Sequence, residues 1–247
     1  MTELLTRTDH GDGIIELGLN RAPVNALSAE FLMDFAARME ALAQDPEVRA
    51  IVLTSPFKVF SAGLDLKEAQ EFDLTQQHAI VEGLNKGFLS LFACPKPTIC
   101  AVNGAAIAGG LFFVLGSDVR VAAPHAKLGL AEVRVGADFP LAPMEIARAT
   151  LDPNTLRRLM LTGQPMDAET AYRLGVVDAM DENVLDRALH EATALAQIPP
   201  KTYAAVKRQI RGATIAVIEA GMAEGAKAPE GGWFTEETKP AMRRMIG

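Results

Sequence analysis

Two glycine-containing loops, each following a short apolar run, constrain the fold of this chain more than any other feature of its sequence. Residues 60–66 read Phe-Ser-Ala-Gly-Leu-Asp-Leu and follow a β-rich run at 50–54. Residues 103–112 read Asn-Gly-Ala-Ala-Ile-Ala-Gly-Gly-Leu-Phe and follow a second β-rich run at 98–102. Glycine at strand ends is typical of α/β proteins that place a ligand site at the carboxyl edge of a parallel sheet. The sequence therefore predicts an α/β fold with a site built from both loops.

Each loop has two interpretations when it is taken alone. Gly109 and Gly110 lie where a loop enters a helix, so their N–H groups either favour a developing anion or only allow a tight turn. In the other loop, Asp65 either belongs to a ligand site or caps a short helix. The presence of both loops favours an oxyanion hole, since two backbone amides that converge on one oxygen stabilise an enolate.

The hydrophobic pattern alternates strands and helices in the first part of the chain and is helical afterwards. We predict strands at 4–8, 14–19, 50–54, 98–102 and 119–123, with the first two forming a hairpin. Helices are predicted at 29–44 (with Ser28 as N-cap), 75–93, 109–115, 140–149, 153–161, 167–174, 183–197, 200–220 and 236–246. No strand is predicted after about residue 140. This organisation divides the chain into an α/β core, residues 1–195, and a C-terminal helical region, residues 196–247.

Composition excludes several function classes. The chain has 247 residues, 49% of them hydrophobic, yet its apolar stretches are broken before the ~20 residues that a membrane span needs. A net charge of −7 argues against a nucleic-acid partner. The first ten residues resemble neither a signal peptide nor a transit peptide, so we expect a cytoplasmic protein. Cys94 and Cys100 are expected to be buried free thiols and not a metal site.

The segment from Ala101 to Ala123, together with residues 60–66, resembles the signature of the crotonase (enoyl-CoA hydratase/isomerase) superfamily. The resemblance implies a crotonase-like spiral of ββα units, a homotrimer or a dimer of trimers, and an acyl-CoA thioester as substrate. It implies no separate cofactor, since coenzyme A is part of the substrate. By motif position, the oxyanion amides are those of Ala62 and Gly109, and the backbone near the CoA adenine is that of Gly63, Leu64, Asp65 and Leu66.

The catalytic carboxylates distinguish the subclasses of this family. Its hydratases use two glutamates, and the two corresponding positions here are Phe112 and Glu132. Hydration asks for two proton-handling groups, whereas moving a double bond from the 3,4 to the 2,3 position asks for one. We therefore expect an enoyl-CoA isomerase with Glu132 as its sole acid/base. Phe112, Phe113 and Gly110 are assigned to the substrate pocket, where apolar walls would raise the pKa of the carboxyl.

Several alternatives remain open at this point. Asp138 either supplies a second acid or caps the helix that begins near Pro140. If a second acid takes part, the chain is a hydratase or another lyase of this type. A separate alternative is a non-catalytic relative that keeps the glycine loops and binds acyl-CoA without turnover. A serine hydrolase is disfavoured because Ala62 and the Gly109 region supply no nucleophile and Ser61 lacks a positioned base. The basic residues of the tail either form a solvated helix face or include ligands of the CoA phosphates: Lys207, Arg208, Arg211, Arg243 and Arg244. The tail itself, at 198–201 and 206–214, is similar to that of mitochondrial-type Δ3,Δ2-enoyl-CoA isomerases.

Overall fold

The computed structural model describes residues 3–225 and 230–246. Their β-strands are β1 (Leu5–Asp9), β2 (Ile14–Leu19), β3 (Ala26–Leu27), β4 (Ala50–Thr54), β5 (Gly63–Leu64), β6 (Thr98–Val102), β7 (Ala106–Ile107), β8 (Val119–Ala122), β9 (Lys127–Gly129), β10 (Met166–Asp167) and β11 (Ala179–Met180). The α-helices are α1 (Ala29–Gln44), α2 (Leu66–Ala69), α3 (Leu74–Phe92), α4 (Leu111–Gly116), α5 (Leu141–Thr150), α6 (Pro153–Thr162), α7 (Ala168–Arg173), α8 (Val184–Ala196), α9 (Pro200–Ala223) and α10 (Thr238–Ile246). Two 3-10 helices complete the set, η1 (Ala108–Gly110) and η2 (Glu132–Val135).

A six-stranded sheet in the order β1-β2-β4-β6-β8-β11 forms the centre of the fold. The predicted hairpin of β1 and β2 is antiparallel, and every other neighbouring pair in this sheet is parallel. A three-stranded sheet, β10-β9-β7, and the pair β3-β5 lie beside it. The predicted helices are confirmed to within three residues at each end, and the side chain of Ser28 accepts the N–H of Phe31 at the start of α1.

Both faces of the central sheet are buried. Ile51 and Leu53 of β4 pack into a large apolar cluster that includes residues of α1, α3 and α4, whereas Ala50 and Val52 pack into a smaller cluster under α8. Helices that cover both faces of parallel strands require apolar side chains at every position. This is why β4 reads as a continuous apolar run and not as an alternating one.

The prediction that no strand follows residue 140 is wrong. Met166–Asp167 pairs antiparallel with β9, and Ala179–Met180 adds a parallel edge strand beside β8. Each of these strands has two residues, so neither is long enough to produce a period-2 pattern in the sequence.

A buried ion cluster centred on Asp118 fixes α9 to the sheet. Lys207 Nζ lies 2.7 Å from Asp118 Oδ2 and Arg211 Nη2 lies 3.0 Å from Oδ1, while the Tyr203 hydroxyl and the Thr98 N–H also donate to Oδ2. Burial lowers the pKa of Lys207, and the charge of Asp118 opposes that change. The interpretation of Lys207 and Arg211 as solvated residues or CoA ligands is therefore wrong, because Asp118 already pairs with both.

Cys94 and Cys100 are buried and free, as predicted, and burial raises the pKa of each thiol. None of the helices in the described part of the chain is both long enough and apolar enough to cross a membrane.

Replacing Asp118 by Asn is expected to lower the free energy of unfolding by about 3–5 kcal/mol, because it leaves two buried cations without a counter-ion. Urea unfolding at pH 7 measures this loss. Glu191→Gln is the matched control, since it breaks the exposed pair with Arg187 and is expected to cost about 0.5 kcal/mol or less. Equal losses in the two variants would contradict the assigned role of Asp118.

Candidate active site

The two glycine loops meet at one edge of the central sheet because they leave neighbouring parallel strands, β4 and β6. The N–H of Ser61 donates to the carbonyl of Ala105 (3.1 Å), and the N–H of Ile107 donates to the carbonyl of Ser61 (3.0 Å). A Cβ atom at Gly110 would lie 2.4 Å from the Ser61 carbonyl oxygen, and one at Gly63 would lie 2.7 Å from that of Ile107. Glycine is thus required at both positions for the loops to approach each other.

The approach places the amide of Gly109 beside the first loop. A Cβ atom at Gly63 would lie only 3.1 Å from Gly109 N. Gly109 lies in the first turn of η1, where the leading N–H groups of a helix lack intrahelical acceptors. Its neighbour Ala108 has a φ of +51°, a conformation that is strained for alanine and that clusters at functional sites.

The second predicted oxyanion amide, that of Ala62, has a partner in this structure. Ala62 borders the same cavity as Gly109, but its N–H donates to the carbonyl of Val24, 3.0 Å away. The structure therefore brings the two predicted residues to one cavity and pairs one of their two amides with a backbone carbonyl.

Asn25 supports this arrangement, although the sequence predicted no role for it. It is fully buried with a φ of +49°, and its Nδ2 donates to the Phe60 carbonyl at 2.8 Å. Its own carbonyl accepts the hydroxyl of Ser61 at 2.8 Å. Asparagine tolerates the left-handed conformation, but the sequence contains no periodic signal that separates a buried asparagine from an exposed one.

A cavity of about 140 Å³ lies beneath the loops and is lined mainly by apolar side chains. Leu64, Leu66 and Phe112 form part of one side, and α10 contributes Met242 and Met245. Glu132 is the only titratable side chain among the described residues that line it. In the same described part of the chain, no group of three or more His, Cys, Asp or Glu side chains could hold a metal ion.

Two residues predicted for the pocket lie outside it. Phe113 points into the core, where its ring packs edge-on against Phe35 at 4.9 Å and Phe88 at 5.2 Å between centroids. Gly110 is used for the close contact with Ser61 and does not border the cavity. Successive positions on a helix differ by about 100° in direction, so Phe112 and Phe113 cannot share one wall.

Asp65 is a helix cap, which is one of the two roles that the sequence left open for it. Its Oδ1 accepts the N–H groups of Lys67 (3.1 Å) and Glu68 (3.3 Å), so it caps α2. Neither Asp65 nor Gly63 borders the cavity, whereas the intervening Leu64 does.

Glu132 is a buried carboxyl whose charge is not compensated. It is the first residue of η2 and is 8% exposed, and its Oε2 has no hydrogen-bond partner among the described residues. Burial raises the pKa of Glu132 to about 8, and a hydrogen bond from its own backbone opposes the shift. A carboxyl with this pKa can both accept and donate a proton near neutral pH.

Asp138 is neither a helix cap nor part of the cavity wall. The helix after it begins at Leu141, and its N-cap residue is Pro140, which offers no side-chain hydrogen bond. The Oδ1 of Asp138 instead accepts the indole N–H of Trp233 at 2.8 Å. Trp233 borders the cavity and was missed because its position depends on packing between segments 95 residues apart.

The family model for enoyl-CoA hydratase/isomerase matches residues 9–227 of the chain. The chain belongs to this family. The expected crotonase-like α/β spiral with C-terminal helices is therefore confirmed, and members of the family act on acyl-CoA thioesters.

Three relatives illustrate the range within the family. A carnitinyl-CoA dehydratase of Citrobacter koseri is 32% identical over 224 residues, which cover 90% of this chain and 85% of the relative. The crystal structure of an enoyl-CoA hydratase from Mycobacterium ulcerans superposes with a TM-score of 0.83 at 29% identity and covers 91% of this chain and 98% of that one. The human mitochondrial Δ3-Δ2-enoyl-CoA isomerase superposes with a TM-score of 0.86 at 25% identity and covers 99% of this chain and 97% of that one.

The raised pKa of Glu132 makes a prediction about stability. The native state holds this proton up to about pH 8, whereas an ordinary glutamate in the unfolded chain loses it near pH 4.5. The contribution of Glu132 to stability is therefore full below pH 4.5 and decreases as the pH rises to 8. Glu132→Gln cannot ionise and does not lose this contribution. As the pH rises through this window, its free energy of unfolding should therefore increase relative to that of the wild type by about 1–4 kcal/mol.

Urea unfolding at pH 4.5 and at pH 8.5 measures this change for the wild type, Glu132→Gln and the control Glu82→Gln. Glu82 is exposed and pairs with Lys86, so its replacement should show little pH dependence. A difference between Glu132→Gln and the wild type that is constant with pH would show that Glu132 is not a desolvated acid.

Proposed function

We propose that this protein is an enoyl-CoA isomerase that moves the double bond of a 3-enoyl-CoA to the 2,3 position. The observation that carries the proposal is that Glu132 is the one titratable side chain lining the cavity in the described part of the chain. Phe112, at the position where hydratases of this family have their other glutamate, borders the same cavity and cannot transfer a proton. The site thus fits a reaction that needs one acid/base.

The reaction proceeds in two proton transfers. The ionised carboxyl of Glu132 takes a proton from C2, and the electrons move into the thioester, giving a dienolate with its charge on the thioester oxygen. The carboxyl then returns the proton to C4, and the double bond shifts to C2–C3. Atoms and charge balance within substrate and protein, so the reaction as proposed uses no metal or redox cofactor.

Backbone amides stabilise the dienolate. Gly109 presents an N–H at the start of η1, where the helix favours negative charge. The proposal requires the N–H of Ala62 to leave or share its bond to the Val24 carbonyl when the thioester oxygen binds. The Gly63–Leu66 backbone, next to Ala62, is proposed to lie along the CoA moiety.

The apolar wall has a chemical purpose in this mechanism. A dry cavity keeps the proton on Glu132 from exchanging with solvent between the two transfers. It also raises the pKa of the Glu132 carboxyl, which reduces the difference between that pKa and the pKa of C2. The raised pKa also lies closer to the pH at which the enzyme works.

A hydratase is the second candidate, because the Mycobacterium ulcerans relative carries that name. Hydration requires a second group to activate or position the water. Asp138 is the nearest acid in sequence, but its carboxylate binds Trp233 and does not border the cavity.

Turnover of a 3-enoyl-CoA and of a 2-enoyl-CoA distinguishes these candidates. The wild type is expected to conjugate the first and to hydrate the second slowly, and Glu132→Gln should lower kcat/KM for conjugation by about 10³-fold or more. Glu145→Gln, at a half-buried acid of α5 that pairs with Arg148 and does not line the cavity, serves as the control and should retain activity.

Rapid hydration of the 2-enoyl-CoA would contradict the isomerase and support a second acid. Tight binding of both thioesters without turnover would support a non-catalytic acyl-CoA-binding protein instead.

We infer that residues 196–247 also mediate assembly into a homotrimer or a dimer of trimers. Three large apolar side chains on one side of α9 are exposed, Val206 (47%), Ile210 (76%) and Val217 (52%). Their spacing of four and seven residues places them on one helical stripe. An exposed apolar stripe of this kind is typical of protein–protein contacts.

Light scattering coupled to size-exclusion chromatography tests this inference. The wild type should elute as a trimer or hexamer, and Ile210→Glu should shift the distribution toward smaller species. Glu219→Lys, a charge change at an exposed position of the same helix, should leave the assembly unchanged. A monomeric wild type would contradict the inference.

A further inference from the structure

A short segment before α10 is held against the cavity by several hydrogen bonds. The indole N–H of Trp233 donates to Asp138 at 2.8 Å, and the backbone N–H of Phe234 donates to the buried Gln77 at 2.9 Å. Thr238, the first residue of α10, donates its hydroxyl to the Gly136 carbonyl at 2.6 Å. The segment is therefore attached both to α3 and to the loop that follows Glu132.

Trp233 is the member of this segment that borders the cavity. Trp233 is 8% exposed, and the centroid of its ring lies 5.5 Å from that of Phe234. Phe234 in turn stacks on Phe72, with centroids 6.3 Å apart and an interplanar angle of 6°. The indole thus forms a wall of the space that contains Glu132.

Among the described residues, Asp138 is the one side chain bonded to the polar end of that indole. It is exposed, so its carboxylate accepts the N–H without being desolvated. An indole N–H that loses its partner inside a packed wall either stays unpaired or turns toward water. Either change loosens the wall on the side of Glu132.

We propose that Asp138 is a positioning residue that acts through Trp233 to keep water away from Glu132. The inference rests on the isomerase proposal for its catalytic meaning, because a one-base proton shuttle needs a dry cavity. The control of the hydration of Glu132 by the surface carboxylate of Asp138 does not depend on which reaction the protein catalyses.

The pKa of Glu132 depends on how dry its surroundings are and not on the charged residues near it. The 3-10 helix of Glu132 packs against α6 and α10, and the charged residues on or next to these elements are Arg134, Asp138, Asp152, Arg157, Arg158, Glu236, Glu237, Lys239, Arg243 and Arg244. None of these groups contributes to the shift in the pKa of Glu132, whose dominant cause is burial. Admitting water should consequently lower this pKa toward that of an ordinary glutamate.

The chain provides a direct reporter, since Trp233 is its only tryptophan. In Asp138→Ala, the emission of Trp233 should shift to the red and acrylamide should quench it more strongly than in the wild type. Asp138→Asn retains an oxygen that accepts the same hydrogen bond, so its emission should stay close to that of the wild type. Glu182→Ala, at an exposed acid, is the control for loss of a surface charge.

Carboxyl ¹³C NMR titration measures the pKa of Glu132 without any turnover, with Glu132→Gln assigning the resonance. Asp138→Ala should lower this pKa by about one unit or more, and Asp138→Asn should restore it. Trp233→Phe keeps a ring but removes the donor, so it should lower the pKa as well. Adding Asp138→Ala to Trp233→Phe should then change little, because both substitutions break the same hydrogen bond.

Steady-state kinetics test the effect of Asp138 on catalysis. Asp138→Ala should reduce kcat/KM for conjugation by about tenfold and move the acid limb of its pH profile to lower pH, with rescue by Asp138→Asn. An unchanged Glu132 pKa in Asp138→Ala overturns the proposal, whether or not the emission moves. Absence of turnover in the wild type, with the fluorescence and NMR shifts intact, would contradict the isomerase and leave the control of hydration supported.

Discussion

Close backbone contact between two loops is the constraint on which this structure depends. The loops leave β4 and β6 at the same sheet edge and are joined through Ser61, with no room for a Cβ atom at Gly63 or Gly110. This contact brings the amide of Gly109 and the residue Ala62 to the border of one cavity. Of the later helices, α4, α5 and α10 contribute residues to the walls of this cavity.

Another part of the cavity wall carries Glu132, the one titratable side chain among the described residues that line the cavity. Glu132 begins a one-turn helix that is closed by Gly136 in the left-handed conformation, and Thr238 of α10 holds the Gly136 carbonyl. A buried carboxylate without a partner is destabilising, so the fold keeps this group largely protonated by raising its pKa. The energetic disadvantage of burial and the proposed catalytic use of the group have one physical origin.

Much of this arrangement was predictable from sequence because it is local. Glycine at the ends of apolar runs identified both loops, and the periodicity of 75–93 and 183–197 identified the covering helices α3 and α8. The two-residue strands after residue 140 were missed because they carry no periodic signal.

Other errors arose where long-range packing decides a residue's role. Lys207 resembles a solvated lysine until α9 docks on Asp118, and Phe113 resembles its pocket neighbour Phe112 until the helix orientation is known. Trp233 and Asp138 meet only because α10 folds back onto the core. Local propensity does not encode such contacts, which join segments far apart in the chain.

The most direct test of the central claim is the fate of the proton that Glu132 removes. A 3-enoyl-CoA carrying deuterium at C2 is converted in ordinary water, and the product is analysed by mass spectrometry and NMR early in the reaction. A single base in a dry cavity predicts that product molecules carry deuterium at C4. Product that forms at a normal rate with only solvent hydrogen at C4 would contradict the account.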